Sequence, residues 1–125
     1  MTRTSAEAIE TYPPAPYAQF AIRFAEALVA RNFDMAHAML STSLRKATRV
    51  EQLRESYDMM MQRGDSTPPI TELISTLDDW PTRRKSDLGW AYVAISGTSY
   101  AEGIAVIVKQ VSGQPVIRQI EWGRP

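Results

Sequence analysis

The chain has 125 residues, 14 Lys and Arg against 14 Asp and Glu, and no cysteine. This length fits one domain, and a chain of this size buries roughly two-thirds of its unfolded surface without a disulfide or metal staple. Zero net charge removes the basic footprint of a nucleic-acid binder. The missing cysteines exclude disulfides and thiol chemistry, and no apolar run approaches the ~20 residues of a membrane span.

The opening MTRTSAEAIETYPPAP is polar and ends in Pro13, Pro14 and Pro16. It lacks the apolar segment of a secretory signal. It is expected as a flexible arm over residues 1–16, ahead of a single domain over 17–125, with the cytoplasm as the expected compartment. A first helix is predicted over residues 16–31. Phe20, Phe24, Ala27 and Leu28 recur at i, i+4, i+7 and i+8, which makes one apolar stripe. Asn32 is expected to close it, because Asn tolerates the left-handed conformation. Phe33, Ala36 and Leu40 open a second, short helix that Ser41-Thr42-Ser43 should break. Thr48 and Glu51 have the spacing of a capping box. They should start a third helix whose stripe is Val50, Leu53, Tyr57 and Met60, and which Gly64-Asp65 ends.

Residues 70–80 carry both signals. Ile70, Leu73, Leu77 and Trp80 have helical spacing, while Thr71, Ile74 and Thr76 suit a strand. Pro68-Pro69 forces an extended entry, and the segment is read as a strand. Residues 81–87, with Arg83, Arg84 and Lys85, read as a solvated loop. From Trp90 to Trp122, three β-rich runs alternate with two turn signals, Gly97-Thr98 and Val111-Ser112-Gly113. That is the pattern of an antiparallel meander. Helices first and consecutive strands afterwards give an α+β domain: three N-terminal helices packed on one face of a curved antiparallel sheet.

The turns fix a register. A two-residue turn at Gly97-Thr98, with Gly in first place, sets Ile95 opposite Tyr100 and Val93 opposite Glu102. A three-residue turn over residues 111–113 sets Val106 opposite Arg118 and Glu102 opposite Trp122. The helix-facing side then collects Val93, Ile95, Tyr100, Ile104, Val106, Val108, Val116, Ile120 and Trp122. Glu102 and Arg118 share it, and both are expected to point at the helical layer. A charge on a core face is costly unless it is paired or near water, so the two either sit at the rim beside residues such as Arg54 or Asp58, or line a pocket. A slip of the second turn by one residue moves Arg118 to the other face. The outer side carries Trp90, Tyr92, Ile107 and Ile117, which is apolar enough to suggest a partner surface, either for a homodimer or for another protein.

The segments Phe24-Ala-Glu-Ala-Leu28, Asn32-Phe-Asp-Met-Ala36, Met39-Leu40 and Leu53, followed by the alternating strands, resemble the nuclear-transport-factor-2-like superfamily of cone-shaped α+β domains. Gly89-Trp-Ala-Tyr-Val93 and Ile120-Glu-Trp-Gly-Arg-Pro125 look similar to its small bacterial members. The resemblance spans residues 17–122 and is a packing pattern. It implies a cone-like gap between sheet and helices. It also implies a choice among a protein-binding member, immunity-type toxin neutralisation included, and a small-molecule pocket with isomerase- or cyclase-like activity; fold alone does not decide function.

An isomerase-like site needs a carboxylate base and an oxyanion donor in an apolar pocket. Glu102 or Asp58 could serve as base, with Tyr57, Tyr92 or Tyr100 as donor; the pocket candidates are thus Glu102, Arg118, Tyr57, Asp58, Tyr100 and Trp122. The single His37 lies between two alanines near an apolar stripe and reads as a packing residue. One His and no Cys fall short of the usual zinc ligand set, and no phosphate-binding loop or nucleophile elbow is present. The sequence therefore points to no cofactor and no metal, and to a non-enzymatic binding protein that makes protein–protein contacts.

Overall fold

The computed structural model describes residues 14–62 and 68–123. The expected arm up to residue 13 and the Gly64-Asp65 helix stop lie outside these residues. Among the described residues four helices come first: α1 (Pro16–Val29), α2 (Phe33–Ala38), α3 (Thr42–Ala47) and α4 (Val50–Met61). Four strands follow: β1 (Ile70–Leu77), β2 (Asp87–Ser96), β3 (Ala101–Val111) and β4 (Gln114–Trp122). The sheet is antiparallel throughout, in the order β1-β2-β3-β4. The chain is an α+β protein with a meander, as the order of sequence patterns predicts, and residues 70–77 are a strand.

Helix α1 starts at Pro16, whose fixed φ suits a first turn and whose missing N–H has no partner to lose. It buries Ala18, Ala21, Phe24, Ala25, Ala27 and Leu28; the alanines let the helix lie close to the sheet. The helix closes differently from the expectation. Arg31, not Asn32, takes the left-handed conformation at φ 60°. The Arg31 N–H donates to Leu28 O and the Asn32 N–H to Ala27 O, which is a Schellman closure. Asn32 is thereby free to cap α2, its side chain accepting from the Met35 N–H at 3.3 Å.

The Ser41-Thr42-Ser43 run begins a helix instead of breaking one. Ser41 Oγ accepts from the Leu44 N–H at 3.2 Å, so Ser41 is the N-cap of α3. The start of α4 is one residue later than the capping-box pattern suggests. Thr48 is extended, and Gln52 Oε1 accepts from the Arg49 N–H at 2.8 Å in place of Glu51 reaching back to Thr48.

Both hairpins are shifted from the expected register. Gly97-Thr98 is part of a four-residue connection closed by the Gly97 N–H donating to Tyr100 O at 3.1 Å, with Ser96 opposite Ala101. Val93 therefore faces Ile104, and Ile95 faces Glu102. The slip is two residues, so every side chain keeps its predicted face; only Tyr100 leaves the sheet for the loop. At the second hairpin Val111 faces Gln114. Ser112 and Gly113 both have positive φ, 52° and 78°, which is the two-residue type I′ geometry and not the three-residue turn. This changes the parity: Ile117 now faces Val108 and joins the core. The pairing then jumps, with Ile107 opposite Gln119, so Arg118 is a bulge residue and Ile120 and Trp122 return to the helical side.

The core lies between α1 and the sheet. Phe24, Leu28, Leu40, Leu53, Val93, Ile95, Ile104, Val106, Val108 and Ile117 are all fully buried there. The outer edge of β4 is partly covered: the Ile117 N–H donates to Met39 O at 2.9 Å, and the Ser41 N–H donates to Ile117 O at 2.7 Å.

Candidate functional site

Helices α3 and α4 stand off from β4, and the gap is a groove. Its inner part is a cleft of ≈ 250 Å³ lined by residues that include Leu44, Ala47, Gln52, Leu53 and Ile120. Its outer part is a cleft of ≈ 340 Å³ lined by Ser56, Met59, Met60, Glu102, Trp122 and Gly123. Ser56 and Trp122 line both, so the two adjoin. The wall of the outer cleft is mostly apolar, the inner cleft adds the polar Thr48 and Gln52, and among the described residues Glu102 is the one charged side chain on the groove. Met59 is 70% exposed at the rim. Trp122 reaches this place because the Arg118 bulge restores its helical-side parity.

Of the pocket candidates drawn from the sequence, this groove holds Glu102 and Trp122. The others go elsewhere. Arg118 does not join Glu102. Its Nε and Nη2 donate to the two oxygens of Asp87, each at 2.7 Å, and Nη2 also donates to Thr82 O at 3.2 Å. None of these partners belongs to the helical layer. Asp58 is exposed and paired in bidentate fashion with Arg31, at 2.9 and 3.2 Å. That hydrogen bonding holds its carboxyl below the ordinary range against the opposing effect of burial. Tyr57 is buried in the core with its ring 5.9 Å from that of Phe33. Burial, with Tyr100 nearby, pushes its phenol above the ordinary range. A phenol in that setting is a packing group, and it does not line the cleft of Glu102.

The proposed partner face also divides. Ile117 is on the helical side and fully buried. Tyr92 and Ile107, on the other side, are only 8% and 3% exposed, and Trp90 is half-buried. The Tyr92 ring lies against Gly103, so large side chains cover small ones on the adjacent strand. The four residues do not form one open apolar surface.

His37 has a structural post. Its Nε2 lies 2.7 Å from the Thr48 carbonyl, which can only accept, so this nitrogen carries the proton and ties α2 to the link before α4. The basic residues Arg83, Arg84 and Lys85 are exposed as expected, and the Arg83 guanidinium packs on the Trp80 ring at 5.9 Å.

Sequence reasoning missed the Asp87–Arg118 pair. Both side chains are almost wholly buried, 0% and 6% exposed. Asp87 also accepts from the Arg84 N–H at 2.7 Å. Burial acts to raise its carboxyl pKa, but the hydrogen bonds from Arg118 and Arg84 outweigh it and hold the group below the ordinary range. The arrangement fastens the loop over residues 78–86 to β2 and β4; it is structural, since its charged groups are spent on one another and on backbone. Among the described residues no cluster of three metal-ligating side chains is found, and no helix is long and apolar enough to cross a membrane. Compared with known proteins, the chain matches no family model, no curated protein and no solved structure.

Proposed function

We propose that this chain is a binding protein, and that the groove between α3, α4 and β4 receives an apolar segment of a protein partner carrying a positive charge. One observation carries this reading: Glu102 and Trp122 share the wall of a mostly apolar cleft. A carboxylate beside an indole face suits a Lys or Arg head group, which gains both an ion pair and a cation–π contact. Met59 and Met60 supply flexible, polarisable surface for the apolar part of the segment. The adjoining inner cleft lengthens the groove enough for more than one side chain. Kinship with the nuclear-transport-factor-2-like superfamily is carried as part of the same proposal, supported by the order of helices before meander.

The size of the outer cleft favours one second reading, a small amphipathic cation held by the same two residues. Pockets of this volume are at the low end for small ligands. The test is amide and methyl chemical-shift mapping with two probes, an apolar peptide bearing a single Lys and an alkyl-ammonium compound. Binding of the peptide should shift Ser56, Met59, Glu102, Trp122 and Gly123, and Glu102→Gln should weaken it about tenfold. A peptide with Glu in place of Lys binding equally well, or shifts located elsewhere, would overturn the reading. Strong binding of the ammonium compound with none of the peptide would select the second.

A further inference from the structure

Strand β1 is an edge. It pairs with β2 on one side, and among the described residues no strand pairs with its other side. Thr71 and Leu73 are half-buried and the rest of the strand is exposed, with Ile70, Ile74 and Leu77 at 66%, 53% and 42%. Soluble proteins usually blunt such an edge with charge, proline or cover. Here one charge, Glu72, stands on the strand. The opposite edge of the sheet is treated differently, since residues 39–41 bond to Ile117 on β4.

We propose that β1 pairs antiparallel with β1 of a second copy of this chain, joining two sheets into one. The strand's own sequence selects the partner and the register. Ile70, Glu72, Ser75 and Leu77 pair with Ser96, Ala94, Tyr92 and Trp90 of β2; Thr71, Leu73 and Thr76 pair with Ile95, Val93 and Ala91. The second set lies on the helical side, where those β2 residues belong to the core. The first set lies on the other. In a regular strand, residues an odd number apart lie on opposite faces. The irregularity between Leu73 and Ser75 inverts that rule across Ile74.

An antiparallel self-pairing centred between Leu73 and Ile74 then matches both faces at once. Ile70 meets Leu77 of the copy and Glu72 meets Ser75, all on the outer side. Thr71 meets Thr76 on the helical side. Leu73 meets Ile74 next to the two-fold axis. Apolar faces apolar, polar faces polar, and no like charges are opposed. A register centred on Glu72 would set the two carboxylates against each other, which is destabilising. The bulge, which elsewhere serves to spoil an edge, is here what makes the strand self-complementary. A two-fold contact of this kind is closed, so it gives a dimer and not a fibre.

The chain has no cysteine, so introduced thiols report the register without interference. Glu72→Cys and Ser75→Cys chains are prepared separately, then oxidised alone and as an equal mixture. The mixture should give a covalent dimer of one chain of each kind, and neither chain alone should give more than a trace. Sedimentation of the unmodified protein should show a dimer, and Ile74→Lys, which sets two ammonium groups at the axis, should raise its dissociation constant on the order of a hundredfold. The melting temperature of Ile74→Lys at low concentration checks that the monomer stays folded. A monomer at every concentration would overturn the proposal. So would a dimer whose Cys mixture cross-links no better than the single chains, because the copies would then meet through another surface.

Discussion

Asp87 and Arg118 form an ion pair that is almost wholly buried, and their type alone does not announce it. They lie 31 positions apart, and they meet because β4 carries an extra residue at Arg118. Removing one partner leaves a buried charge without its counterion, which typically costs ~3–5 kcal/mol. Asp87→Asn and Arg118→Met should each lower stability by about that much in denaturant melts. Combining Asp87→Leu with Arg118→Met should recover most of the loss, since a buried pair is often no better than well-packed apolar groups. The pair also sets an acid limit. The folded pKa of Asp87 lies below its unfolded value of about 3.9. Its contribution is therefore complete above that value and is lost as pH falls through the lower, folded one. Acid titration of the wild type against Asp87→Asn should show the two stabilities converging below about pH 4. Nearby, Trp80 Nε1 is buried without a hydrogen-bond partner. A buried unsatisfied donor costs ~1–3 kcal/mol, so Trp80→Phe should lose less stability than the smaller ring suggests, and a melting temperature within a few degrees of wild type would show it.

At the level of elements, the sequence was legible where a pattern repeats and illegible where one residue chooses between two local geometries. The stripe through Phe24 and Leu28 and the alternation through Ile104, Val106 and Val108 are sums over many residues, and both hold. The ends of elements turn on single hydrogen bonds. Ser41-Thr42-Ser43 could break a helix or cap one; the Leu44 N–H settles it as a cap. Val111-Ser112-Gly113 could form a turn of three residues or two; Ser112 accepting φ 52° settles it as two. That choice moved Ile117 into the core and, through the bulge, left Trp122 facing the helices beside Glu102. Glu102 and Trp122 line one cleft for this reason, and Arg118 pairs with Asp87 away from it for the same reason. The turn also makes a prediction. A branched residue in the left-handed region costs roughly 1–2 kcal/mol, whereas Asn-Gly is the favoured type I′ pair. Ser112→Val should lower the melting temperature and Ser112→Asn should hold or raise it. Equal effects from the two would mean that the turn is not type I′.

For the whole molecule, the exposed apolar groups gather mainly on the β1 edge, with Met59 at the groove and Met35, Leu88 and Val111 standing singly, while the outer-side residues Tyr92, Ala105 and Ile107 of β2 and β3 are buried. An outer face rich in Trp90, Tyr92 and Ile107 reads in sequence as a docking surface, because side-chain type shows apolarity but not what lies over it. Tyr92 against Gly103, and small Ala105 opposite Tyr92, show how a sheet covers itself when large and small residues alternate across strands. The prediction at this scale contrasts two substitutions that look alike on paper. Tyr92→Glu puts a carboxylate where the native residue is 8% exposed, and a buried, unpaired charge costs several kcal/mol. Against a total stability of roughly 5–15 kcal/mol, that is enough to unfold much of the population or to drop the melting temperature by tens of degrees. Ile74→Lys puts a charge where the native residue is 53% exposed, and surface changes of that kind usually stay within about 0.5 kcal/mol. Circular dichroism melts of the two at low concentration should therefore separate widely. If Tyr92→Glu instead folds as well as wild type and Ile74→Lys does not, the outer face is the open surface of the sheet and β1 its buried strand.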